Sequence, residues 1–157
     1  MKIYFWSVGK LHEPYVKEGI ETFTKRISHY YNAEWKIIPP VKNAANLSNT
    51  DLKKNEADSI LNLLLPGDVV ILLDEKGKQL TSEQLADMIQ LNANNSVKNI
   101  VFLIGGAYGV DERVIKRANY VWSLSKLVFP HQLVRLILAE QVYRACTIIR
   151  NEKYHHS

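Results

Sequence analysis

Apolar residues in this chain fall either in short continuous runs or at steps of three and four, and the two patterns alternate from end to end. Continuous runs predict buried strands and stepped ones amphipathic helices, so strands separated by helices are expected. Segment 1–8, rich in β-branched and aromatic side chains and stopped by Gly9, reads as the first strand. From 13 to 31, Tyr15, Val16, Ile20, Phe23, Ile27 and Tyr30 share one face of a helix that Pro14 starts. A short strand over 35–38 stops at Pro39 and Pro40, and the Asn- and Ala-rich stretch 42–49 reads as a loop. Ser48 with Asp51 caps a helix ended near Leu65 by Pro66 and Gly67, and Thr81 with Gln84 caps another that ends near Asn94. Segments 68–73 and 99–104 are too apolar to leave one face in water, which predicts central strands. A short helix over 111–117, a last strand over 120–124 and a long helix over 131–150 complete the series.

This order implies an α/β domain whose mostly parallel sheet is covered by helices on both faces, with ligands bound beyond the carboxyl ends of the strands. Three segments lie at that edge: the turn after Leu73, the glycine loop after Ile104, and 124–130. A length of 157 residues and 46% hydrophobic content suit a single domain over 1–157. The lone Cys146 excludes an internal disulfide, and no N-terminal stretch resembles a secretion signal. The longest apolar run, near 133–139, contains Arg135 and falls far short of the ~20 residues that cross a bilayer, so a cytoplasmic location without membrane contact is expected. Twenty Lys and Arg against sixteen Asp and Glu give a formal charge of +4, compatible with a polyanionic partner. The basic residues are scattered, however, and on charge alone an ordinary solvated surface fits as well.

Two segments carry candidate chemistry. The glycine loop of Gly105, Gly106 and Gly109 follows a strand and precedes Asp111, a helix cap. Its spacing is neither the dinucleotide fingerprint nor a phosphate-cradling loop, and it fits a ligand approaching the backbone or a turn that merely needs positive φ. Segment 123–131 is apolar where a loop should be polar, which suits a flat ligand such as an adenine ring or a buried connection over the core. In the final helix, Leu133, Leu136, Leu138, Val142, Ala145 and Ile149 occupy more than one face, so one side is expected to be a subunit interface and the protein a homodimer, the alternative being a helix at the centre of a monomeric core. Glu140 and Arg144 stand four apart and pair on the surface in the commonest reading. His131 is placed by Pro130 at the ligand edge, whereas His12 and His29 carry no signal. The pair His155 and His156 lacks nearby metal ligands, so no metal is expected, and Cys146 sits among core residues.

Taken in order, several motifs resemble one family, the RlmH enzymes: small SPOUT-class methyltransferases that modify N3 of a pseudouridine in 23S ribosomal RNA. The resemblance runs through Val8-Gly9-Lys10, Leu73-Asp74, Gly77-Lys78, Leu103 to Gly106, Trp122 to Ser125, Phe129-Pro130-His131, Val134-Arg135, Glu140 to Ala145 and Tyr154-His155. It implies a SPOUT-type α/β-knot fold with a C-terminal trefoil knot, a homodimer, and action on the large subunit or whole ribosome without a separate RNA-binding domain. It also implies that S-adenosylmethionine is bound by Leu73, Gly105, Leu124, Ser125, Lys126, Leu127, Val128 and Phe129. His156 stands where relatives carry a basic residue.

Given that reaction, the N3 imide must lose a proton, which needs a base or cationic donors. His155 is the candidate base or donor, Arg135 the candidate source of catalytic positive charge, and Tyr154 a candidate stacking partner for the RNA base. Arg144 and His131 are the candidate RNA contacts. A non-catalytic ribosome-binding protein on the same fold is the main alternative, and a nicotinamide-dependent enzyme a weaker one.

Overall fold

The structure, a computed structural model, describes residues 1–156; Ser157, the end of the expected domain, lies outside the described residues. In chain order the elements are β1 (Lys2–Val8), α1 (Pro14–Ile27), β2 (Asn32–Ile38), α2 (Asn49–Leu63), β3 (Val69–Gln79), α3 (Ser82–Asn94), β4 (Asn99–Ile104), α4 (Glu112–Arg117), β5 (Tyr120–Ser123) and α5 (His131–Ile149). The strands form one sheet in the order β2-β1-β4-β3-β5, and every neighbouring pair is parallel.

Side chains alternate across a strand, so the central strands serve two cores. On one face Phe5, Ile71, Ile100 and Phe102 pack against α1, α3 and α5 through Ile27, Leu85, Ile89, Leu138 and Val142. On the other, Trp6, Val70, Leu72, Val101 and Leu103 pack against α2 and α4 through Ala57, Ile60 and Val114. Helices therefore cover both faces, as the sequence predicts. The caps are also where local chemistry places them. Ser48 accepts the backbone N–H of Asp51, and Thr81 and Gln84 exchange both bonds of a capping box, each cap contributing about 1 kcal/mol.

The structure departs from the sequence reading at three elements. Helix α1 stops at Ile27 rather than near Tyr31, because the amides of Tyr30 and Tyr31 both turn onto the Ile27 carbonyl. Tyr30 thereby reaches Glu152 in the C-terminal tail, 2.8 Å away. Strand β2 begins at Asn32 rather than Trp35, and its alternating exposure is that of an edge strand, which lacks the continuous apolar run of a central one. Strand β3 does not turn after Leu73. Leu73 and Lys78 both pair with Trp122, so the intervening residues bulge out and the chain rejoins β5 further along. Gly77 makes this possible: a Cβ there would stand 2.6 Å from the backbone nitrogen of Trp122 and 2.7 Å from the carbonyl carbon of Val121.

Candidate functional site

The bulge of β3, the glycine loop after β4 and the loop after β5 meet at the carboxyl edge of the sheet around a cleft of about 760 Å³. The three segments selected from the sequence thus converge in space. Leu73, Gly105, Leu124, Ser125, Leu127, Val128 and Phe129 all line the cleft, as does His131; Lys126 does not. Neighbours that the sequence reading did not assign to the site line it too, among them Lys53, Asp74, Tyr108, Val110 and Trp122.

Local interactions shape the walls. Gly109 adopts φ +86°, a conformation that favours glycine, and its amide closes a tight turn on the Gly106 carbonyl at 3.2 Å. A Cβ on Gly105 would overlap the Val110 side chain. The turn reading of the glycine loop therefore holds at Gly109, and the loop also borders the cleft. Ser123 Oγ donates to the Ser125 carbonyl at 2.9 Å, and Ser125 Oγ accepts the Leu127 amide at 3.0 Å, which stiffens a loop whose Leu127 and Val128 remain 71% and 83% exposed. Trp122 brings a buried indole N–H that has no partner among the described residues. His131 Nε2 donates to the Gly105 carbonyl, tying the start of α5 to the glycine loop at 2.6 Å. Burial holds the pKa of His131 below its ordinary value, only partly opposed by that carbonyl, so the ring is a neutral donor.

Arg135 lies apart from the cleft wall. It is 0% exposed; its Nε donates to Ser7 Oγ at 2.9 Å and its Nη1 to His12 Nδ1 at 3.2 Å. Its Nη2 has no partner among the described residues. Arginine has no lone pair to accept with, so His12 carries its proton on Nε2. Burial first, and then Arg135, lower the His12 pKa. Neither Ser7 nor His12 was a candidate, because nothing local marks residues that meet an arginine more than 120 positions away.

Arg144, Tyr154 and His155 form a second cluster that also stays off the cleft wall of this chain. Arg144 pairs with Glu140 at 2.8 Å in a half-buried setting, not on the open surface, and its guanidinium lies 4.8 Å from the Tyr154 ring centroid. Its Nη1 donates to His155 Nδ1 at 3.1 Å, which leaves the proton on Nε2 to be donated to Glu83 at 2.7 Å. That bond is the main reason the Glu83 carboxyl titrates below its ordinary range. Glu83 was missed because its role depends on a partner 72 residues away. Cys146 is buried as expected, and burial pushes its thiol up to about 12. Among the described residues no group of three or more His, Cys, Asp or Glu could hold a metal ion, and no helix is long and apolar enough to cross a membrane.

A family model described as "Predicted SPOUT methyltransferase" matches residues 1–155. A protein of Cytophaga hutchinsonii named Ribosomal RNA large subunit methyltransferase H is 49% identical over 99% of this chain and 100% of its own length. Proteins of the same name from Parabacteroides distasonis and Christiangramia forsetii are 45% and 43% identical, each over 99% of both chains.

Proposed function

This chain belongs to the SPOUT methyltransferase family, and we propose that it transfers a methyl group from S-adenosylmethionine to N3 of a pseudouridine in 23S ribosomal RNA. In this proposal it acts on the large subunit or whole ribosome, in the cytoplasm, as a homodimer of single-domain protomers with a C-terminal knot. The observation that carries the reading is the cleft, where the ends of β3, β4 and β5 offer backbone groups and an apolar loop in one cavity. Ligands bind at this edge of parallel sheets. The residues present fit the donor. Leu124, Leu127, Val128 and Phe129 suit the faces of an adenine ring, and the unpartnered Trp122 N–H is a donor at the wall.

When bound, S-adenosylmethionine supplies an electrophilic methyl group for in-line displacement. The chain's own task is to hold the acceptor nitrogen in line and manage its proton. His155, Tyr154 and Arg144 are the residues we assign to the RNA. His155 Nε2–H is oriented by Glu83, and a base role at Nδ1 requires that Arg144 let go as the RNA arrives. Tyr154 offers a face for the base to stack on, and Arg144 a guanidinium for phosphate or developing charge. Arg135, enclosed as it is, contributes positive charge and holds the turn after β1 without touching the base. His131 holds the glycine loop beside any RNA contact it makes.

The C-terminal cluster is absent from the cleft wall of its own chain, so a homodimer is the arrangement that delivers it to a partner's cleft. Exposed apolar side chains support such an interface. Leu11 and Tyr15 flank a turn tied to Gln132 at the start of α5, and Leu127 and Val128 precede that same start.

The test is transfer of labelled methyl from S-adenosylmethionine to ribosomes from a strain lacking this protein, with the product nucleotide mapped by mass spectrometry. Label at N3 of one pseudouridine is expected. No label on intact ribosomes or free RNA, with ribosome binding retained, would replace the enzyme with a non-catalytic binding protein.

A further inference from the structure

The C-terminal ends of α1 and α5 carry a run of rings and guanidinium groups that the cleft does not use. The two helices lie side by side in the same direction. At one end the Glu13 amide bonds Gln132, and toward the other the Phe23 and Tyr143 ring centroids stand 5.9 Å apart. From Arg144 the run is unbroken. Its guanidinium stands 4.8 Å from the Tyr154 ring, which meets Tyr143 at 4.8 Å, and Arg26 stands 5.5 Å from that same Tyr143 ring. Tyr30, turned back by the early end of α1, reaches Tyr143 at 6.5 Å, and Arg150 stands 5.7 Å from the Tyr30 ring.

Arg26 and Arg150 are exposed, and among the described residues neither pairs with a carboxylate. The carboxylates that border the face have other partners: Glu140 holds Arg144, and Glu152 accepts from Tyr30. A ring face attracts a cation but takes no bond from the edge of the guanidinium, so both arginines keep N–H donors for another partner. Planar donors backed by half-buried rings suit a phosphate backbone, which arginine binds through two parallel bonds. The apolar patch of Leu11, Tyr15, Leu127 and Val128 belongs to the opposite end of both helices, about 16 Å of helix away, so a subunit contact there does not require this face. We propose that the face docks the protein on ribosomal RNA, Arg26 and Arg150 holding backbone phosphates beside the base that Tyr154 receives. This rests on the ribosomal RNA reading above and extends its contacts from the acceptor base to the flanking backbone. Positions 26, 144 and 150 look scattered in sequence, and packing gathers them on one surface.

The experiment is steady-state methylation, by the full chain, of ribosomes from a strain lacking this protein, at fixed magnesium and varied monovalent salt. Arg26→Gln and Arg150→Gln are compared with Lys116→Gln, which removes the same charge from a 74% exposed side chain on α4, across the sheet. Each arginine variant is expected to raise KM for ribosomes about fivefold at low salt with kcat retained, and to flatten the plot of log kcat/KM against log salt by about one unit of slope. Lys116→Gln should match wild type in both, and Arg26→Lys, which keeps the charge, should recover most of the slope. Cations at helix C-termini also answer the helix dipoles, so unchanged KM and slope with only a lower melting temperature would assign both arginines to stability and overturn the proposal. A raised KM with an unchanged slope would make an acidic ribosomal protein the occupant, since isolated carboxylates hold no condensed counterions to release, and would overturn it too. Altered sedimentation of the free variants would make the face a subunit contact and equally overturn it. Should Arg26→Gln fail to fold, Arg150→Gln reads the same prediction. A wild-type chain that neither binds nor methylates ribosomes refutes the RNA reading and the face together, whereas one that methylates them no better than its arginine variants refutes the face alone.

Discussion

Gly77→Ala adds a single methyl group where the bulge of β3 lies closest to the backbone of β5. The new Cβ would lie 2.6 Å from the Trp122 backbone nitrogen and 2.7 Å from the carbonyl carbons of Trp122 and Val121. All three atoms are backbone of β5, the edge strand paired to β3, so no side chain can swing away and the strands themselves must part. Overpacking costs about 1–3 kcal/mol when neighbours can adjust, and a backbone wall puts this change at the upper end, about 3 kcal/mol. For a chain of this size that is a fall in melting temperature of about 6–12 °C. Gly67→Ala is the control, since nothing lies within 4 Å of its Cβ and its φ is not positive; it should fall within about 0.5 kcal/mol of wild type. Scanning calorimetry at matched protein concentration reads both, the matching being needed because the proposed homodimer would melt at a concentration-dependent temperature. Because the displaced bulge carries Asp74 and Lys76 at the cleft wall, donor binding should weaken along with stability. Equal melting temperatures for the two variants would refute the close backbone approach described at Gly77.

Acid should destabilise the protein through His12 and His131, both held below the ordinary 6.5, first by burial and further by Arg135. The unfolded chain then takes protons before the folded one, so stability falls as pH drops below about 6.5 toward the depressed folded values. Denaturant midpoints across that range should show the decline, shallower in His12→Gln, and a flat profile would count against both burials. Cys146 should resist iodoacetamide at about pH 8 in the native protein and react fully in denaturant, because its thiol is pushed up to about 12. Rapid native labelling would contradict its position in the core. Methylation of ribosomes should fall as salt rises, log activity against log salt being linear with negative slope, and a slope of zero would argue against phosphate contacts.

Wherever the determining interaction is local, the sequence was sufficient. Ser48 and Asp51 cap α2 and Thr81 and Gln84 cap α3 because the bonded groups are three residues apart, and no other part of the fold is needed to bring them together. The apolar runs of β3 and β4 likewise announce strands buried on both faces. The ligand edge was legible for a related reason: parallel strands joined by helices put their carboxyl ends together whatever their order in the sheet. The strand order itself, the continuation of β3 past Leu73 and the early end of α1 were not legible, since each depends on which surfaces compete for the same side chains. Tyr30 continues the helical periodicity of α1, yet Glu152 and the ring of Tyr143 claim it. Only tertiary structure joined Arg135 to Ser7 and His12, His155 to Glu83, and Glu56 to Gly106. A charge at a single position looks the same in sequence whether it is solvated or enclosed. Its partner and its loss of water, which set its chemistry, exist only once distant segments have packed.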